Sequence, residues 1–110
     1  MHKSIDEDIS YEQISKNMNR LANIGLEVHI TELDVSLNKS KEPMKIRLEK
    51  QANVYSHSLR TCLNTSNCTA FVMWGFTDRF SWLEEDLPLI FDQSYKPKPA
   101  YKKLKDVLLN

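Results

Sequence analysis

Apolar residues along this chain fall into two kinds of run. In one they recur at helical spacing: Ile14, Met18 and Leu21, then Leu48, Ala52, Tyr55, Leu59 and Cys62, then Leu104, Val107 and Leu108. Residues so spaced line one face of a helix. The other kind is short and rich in β-branched or aromatic residues, over 27–35 and again over 70–74. Each predicts a buried strand. Punctuation agrees. Ser10 and Gln13 form a capping box before the first helix and Gly25 suits its end, while Pro43 and Pro99 suit first turns of the later helices. Residues 1–9 read as polar and irregular, and 75–98 as a long polar and aromatic loop. The order is helix, strand, helix, strand, long loop, helix, with no hairpin signal. That predicts an α/β fold with a parallel sheet.

Two parallel strands make a poor sheet, because each needs neighbours on both sides. The expectation from organisation alone is a piece of something larger. Glu27-Val28-His29-Ile30-Thr31-Glu32-Leu33-Asp34-Val35 is the most informative strand. Strict alternation puts Val28, Ile30, Glu32 and Asp34 on one face, with His29 on the other, packed against helices. Two carboxylates at the C-terminal end of a buried strand occupy the rim where α/β barrels carry out their chemistry. Equally, Glu32 reads as a solvated residue at a strand exit.

Composition narrows the class without naming a function. The 110 residues are 41% hydrophobic and 27% charged, and 15 Lys and Arg balance 15 Asp and Glu. Such a balance carries no nucleic-acid or membrane signature. No apolar run is long enough to span a bilayer, and the start MHKSIDED lacks the pattern of a signal peptide. His2, His29 and His57 are scattered and the cysteines lack zinc-ligand spacing, so no metal or other cofactor is expected.

Trp74-Gly75-Phe76-Thr77-Asp78-Arg79-Phe80-Ser81-Trp82 starts at the end of the second strand, on the same rim as Glu32. Tryptophans there serve as flat platforms for sugar rings, with Asp78 and Arg79 as hydrogen-bonding partners; the plainer reading makes both tryptophans core residues.

The segment Ile30-Thr31-Glu32-Leu33-Asp34, then CLNTSNC, WGFTDRFSW and PLIFDQSYKPKPAYKKL in that order resemble the C-terminal part of glycoside hydrolase family 10. That family comprises retaining endo-1,4-β-xylanases on a (β/α)8 TIM barrel. The resemblance implies that residues 1–110 run from the end of strand six through helix eight of a single catalytic domain, an incomplete barrel. By the same resemblance Glu32 matches the nucleophile, His2 the histidine that hydrogen-bonds it, and Asp34 the carboxylate that orients His2. Trp74 matches the platform under the sugar, Trp82 the aromatic lid that favours xylose over glucose, and Asp78 a less defined substrate contact. Arg79 and Phe80 receive no catalytic role. A frayed terminal residue is the plain alternative for His2.

The family's acid/base glutamate lies on strand four, and nothing in this sequence matches it. Glu84 and Glu85 follow the Trp82 loop and read as exposed loop charges. Retaining chemistry needs two carboxyl groups about 5–5.5 Å apart. The segment alone is therefore expected to be inactive, with open strand edges that favour self-association. Xylan or a xylo-oligosaccharide is the implied ligand of the parent protein, with no nucleic acid and no membrane. The alternative is a non-catalytic xylan-binding or barrel-completing fragment, against which the retained Glu32 and Asp34 argue.

Cys62 and Cys68 close a short loop and either pair across it or stay reduced in the core; pairing accords with a secreted parent. Asn38-Lys39-Ser40, Asn64-Thr65-Ser66 and Asn67-Cys68-Thr69 match the glycosylation acceptor pattern, which is frequent by chance.

Overall fold

A computed structural model describes residues 1–38 and 40–110; Lys39 and the side chain of Glu84 lie outside the described residues. The acceptor triplet centred on Lys39 and the reading of Glu84 as an exposed charge therefore fall partly outside them.

Three parallel strands stand in the order β1 (His2–Ser4), β2 (Val28–Ser36), β3 (Cys68–Met73). Helix α1 (Tyr11–Ala22) connects β1 to β2, α2 (Met44–Leu63) connects β2 to β3, and α3 (Pro99–Leu109) closes the chain. The start of the chain is thus a strand, where local composition reads as irregular. His2, Lys3 and Ser4 carry no strand signal of their own. Their state is set by the ladder they make with Asp34, Val35 and Ser36. The expected strands over 27–35 and 70–74 form as 28–36 and 68–73.

Helix ends follow local chemistry. Ser10 Oγ accepts from the Gln13 amide, as in a capping box, but the Gln13 side chain turns to Asn17 instead of completing it. Past Ala22 the chain reverses through Gly25 at φ +80, where the Leu26 amide donates back to the Leu21 carbonyl. Pro43 stands just before the first residue of α2 and not inside its first turn.

The core lies between β2 and the helices. Leu33, Val35, Ala52, Tyr55 and Ala100 are fully buried, with Met18, Ile30, Leu59, Cys62 and Leu104 around them. The predicted stripe of α2 is inside, Leu48 only partly. On α3, Leu104 is buried and Val107 half-buried, but Leu108 faces out. Leu108 instead borders an open apolar groove of about 430 Å³ with Leu59, Phe71, Met73 and Leu104. His29 does not pack on helices: it is exposed, and its Nε2 lies 3.1 Å from Thr69 Oγ1 on β3.

Cys62 and Cys68 are joined in a disulfide, with Cα atoms 5.1 Å apart, tying the end of α2 to the start of β3. Next to it Asn67 donates through Nδ2 to the Met18 and Leu26 carbonyls. That amide is occupied inside the fold, which removes Asn67 from the glycosylation candidates.

Candidate active site

The decisive local feature is a bulge in β2. Ile30 pairs with Phe71 and Leu33 with Met73, so three steps along β2 oppose two along β3. The extra residue is taken up at Glu32, which adopts a left-handed φ of +54. An L-residue there is strained by Cβ crowding. Alternation is interrupted at that point, so the expected single face of Val28, Ile30, Glu32 and Asp34 does not run through the strand. Glu32 projects to the rim with its side chain 48% exposed, while Leu33, Asp34 and Val35 are all buried.

The β1–β2 register then does the assembling. His2 stands opposite Asp34 across the ladder, and its Nδ1 lies 3.0 Å from Asp34 Oδ1. Its other ring nitrogen, Nε2, lies 3.5 Å from Glu32 Oε2. A neutral imidazole donates through one nitrogen only, whereas an imidazolium donates through both. Charged, His2 serves the two carboxylates at once. Asp34 is completely buried, and its second oxygen accepts from Trp82 Nε1 at 2.6 Å. The Trp82 indole also meets the His2 ring edge-on, centroids 5.1 Å apart.

Trp74 is half exposed at the same rim, its amide donating to the Leu33 carbonyl one residue from Glu32. Gly75 follows at φ +112 and lets the chain leave β3 in a direction a side chain would block: a Cβ there would stand 3.1 Å from Leu89. The loop carries two single 3-10 turns, Asp78–Phe80 and Glu84–Asp86. Glu85 is exposed on the second.

Asp78 does not face this rim. It is 1% exposed, with Oδ1 accepting from the Leu89 amide and Oδ2 paired with Lys98 Nζ at 2.8 Å. Its carboxylate is consumed in holding the loop, so the expected substrate contact is corrected to an internal one. Arg79 likewise turns to its neighbours, its guanidinium over the Phe80 and Tyr95 rings.

Behind the rim, buried polar side chains of α2 hold backbone carbonyls of β2 and of the returning loop. Gln51 Nε2 donates to the carbonyls of Val35 and Leu87, and the Tyr55 hydroxyl donates to that of Pro88 at 2.6 Å. Burial pushes the Tyr55 phenol well above its ordinary 10.0, and the charges of Asp34 and Asp78 add to it. Burial also lowers Lys98 below 10.5, against the opposing pull of Asp78. Lys98, Gln51 and Tyr55 were invisible as site supports in the sequence. Lys98 closes the polar loop over 75–98 and Tyr55 belongs to the apolar stripe of α2, while Gln51 stands outside that stripe.

A family model described as Glycosyl hydrolase family 10 matches residues 1–107. The chain belongs to this family. It is 40% identical over 108 residues to endo-1,4-beta-xylanase B of Neocallimastix patriciarum, covering 97% of this chain and 12% of that protein. Xylanase 10B of Thermotoga maritima superposes with a TM-score of 0.90 at 35% identity, over 99% of this chain and 35% of that one. Xylanase 10B of Thermotoga petrophila, solved in complex with xylobiose, gives a TM-score of 0.86 at 34% identity, over 99% of this chain and 34% of that one. The chain thus spans about a third or less of the length of these relatives. As a family 10 segment, its three parallel strands and three helices are a sector of a TIM barrel.

Proposed function

We propose that residues 1–110 supply the nucleophile side of a retaining endo-1,4-β-xylanase, as the C-terminal sector of its catalytic domain, strand six through helix eight. The observation that carries this reading is His2 standing between Glu32 and Asp34. With His2 Nε2 beside it, the Glu32 carboxylate is directed at the open rim, where it can reach an anomeric carbon. Glu32 attacks that carbon, the glycosidic bond breaks, and a covalent glycosyl-enzyme forms. Water then hydrolyses it with net retention. Trp74 offers its face beneath the sugar and Trp82 covers it from the other side, so the ligand is xylan or a xylo-oligosaccharide. Asp78, enclosed with Lys98, takes no part in contacting it.

The acid/base carboxyl comes from elsewhere in the barrel, so the isolated segment does not turn over xylan. Its open β3 edge and apolar groove favour a barrel-completing role for the segment taken alone. The Cys62–Cys68 disulfide supports a secreted parent enzyme.

The test is Glu32→Ala in the enzyme that carries this segment. Turnover collapses by several orders of magnitude while substrate affinity is largely kept. Azide then restores cleavage of an activated xyloside and gives a glycosyl azide of inverted configuration. Near-normal turnover without azide would remove Glu32 from the nucleophile role.

A further inference from the structure

Asp34 is the most deeply enclosed carboxylate next to Glu32, and both its oxygens are engaged. Oδ1 faces His2 Nδ1 at 3.0 Å and Oδ2 faces Trp82 Nε1 at 2.6 Å. The second contact is the shorter, and it comes from a side chain 62% exposed on a rim loop 48 residues further along the chain. Trp82 also lies edge-on against the His2 ring. An aromatic lid whose work was only to cover a sugar would need neither contact. A hydrogen bond from a neutral donor to a buried carboxylate is strong, because little water competes for the acceptor.

We infer that Trp82 is a positioning residue for the nucleophile, acting through its indole N–H on Asp34 and from there through His2 on Glu32. The Asp34 side chain turns about Cα–Cβ and Cβ–Cγ, and separate donors on its two oxygens restrain both torsions. Pinning Oδ2 on the indole restrains where Oδ1 points, and with it the plane of the His2 ring and the direction in which Nε2 meets Glu32. Transmission also runs outward. Asp34 holds the indole edge, while the edge-on contact with the His2 ring also seats the face that Trp82 turns to the sugar. A sugar that displaces the lid must break the bond to Asp34 and misaligns Glu32 as it binds. Poor fit at the lid is thereby converted into slower chemistry and not only weaker binding. No proton moves along this chain in the proposal; it is an alignment device.

This inference rests on Glu32 being the nucleophile, and the experiment separates the two. In the complete enzyme, Trp82 is replaced by 3-benzothienylalanine, which keeps the bicyclic ring and substitutes sulfur for the N–H. The expected result is a kcat about tenfold lower or less still, with KM changed by less than about threefold, since the covering face is unaltered. Unchanged kcat would overturn the inference, as would a rise in KM alone. A second measurement needs no variant. In the unmodified enzyme the Trp82 indole N–H resonance lies downfield and exchanges with solvent at least about tenfold more slowly than a free indole; free-indole exchange would likewise overturn the inference. Glu32→Ala with azide is run alongside. Azide rescue with no effect of the isostere leaves the nucleophile standing and removes only the role of Trp82.

Discussion

Lys98 Nζ lies 2.8 Å from Asp78 Oδ2, across 20 residues of chain, with both side chains buried beneath the loop that carries Trp82. Lys98 Nζ also donates to the Leu87 carbonyl, and Asp78 Oδ1 accepts from the Leu89 amide. The pair therefore staples the start of the rim loop to its return. Removing one partner strands a buried charge, which costs about 3–5 kcal/mol. Asp78→Ala and Lys98→Met are each expected to destabilise the complete barrel by that amount, measured by urea unfolding, and the double variant by less than their sum. Additive losses would mean that the two charges are not coupled in solution.

Tyr55 and Lys98 give stability opposite slopes at alkaline pH. The unfolded Tyr55 phenol ionises near 10.0, while the folded one keeps its proton because burial raises it well above that value. Above about pH 10 the folded state then binds more protons than the unfolded one, and stability falls as pH rises. Lys98 is held below 10.5, chiefly by burial, so between its folded value and 10.5 the unfolded chain binds more protons and stability rises with pH. Tyr55→Phe is expected to diminish the alkaline loss, leaving the part that Tyr11, also raised by burial, contributes, at a cost of about 1 kcal/mol near neutrality for the bond to Pro88. Unfolding midpoints near pH 8 and pH 11 decide it; an undiminished alkaline loss in Tyr55→Phe would assign that loss elsewhere.

Glu32 stands at φ +54, a conformation that glycine adopts freely and an L-residue does not. Glu32→Gly and Glu32→Ala both delete the carboxylate, yet they differ in backbone strain. The glycine variant is expected to be more stable by about 1 kcal/mol, with both equally inactive. Equal or reversed stabilities would show that the bulge is not left-handed in the working enzyme.

The segment taken alone exposes the outer edge of β3 and the groove lined by Phe71, Met73, Leu104 and Leu108. Unpaired strand groups beside apolar surface invite pairing between chains. Residues 1–110 in isolation are expected to associate, with an apparent mass in sedimentation above the 12.9 kDa of one chain. A monomer with a sharp, concentration-independent unfolding transition would contradict this.

Local physics made much of the architecture legible in the sequence. Helical periodicity located α1, α2 and α3, short β-rich runs located β2 and β3, and the missing hairpin signals implied a parallel sheet. Glu32 and Asp34 were marked because two carboxylates end a buried strand, and Trp74 and Trp82 because they flank a polar loop. Those are one-dimensional signals: spacing, composition and punctuation. Whatever depended on alignment between distant segments had no such signal. His2 gains its place from a three-residue strand that forms only against β2. Asp78 looked like a rim residue until Lys98, 20 residues on, drew it inside. The bulge at Glu32 depends on the register with β3, which places the turn in a stretch that reads as regular alternation. Periodicity reports which residues prefer burial. Which buried polar atoms meet is decided by strand register and loop return, and the short contacts from Asp34 to His2 and Trp82 exist only once both are in place.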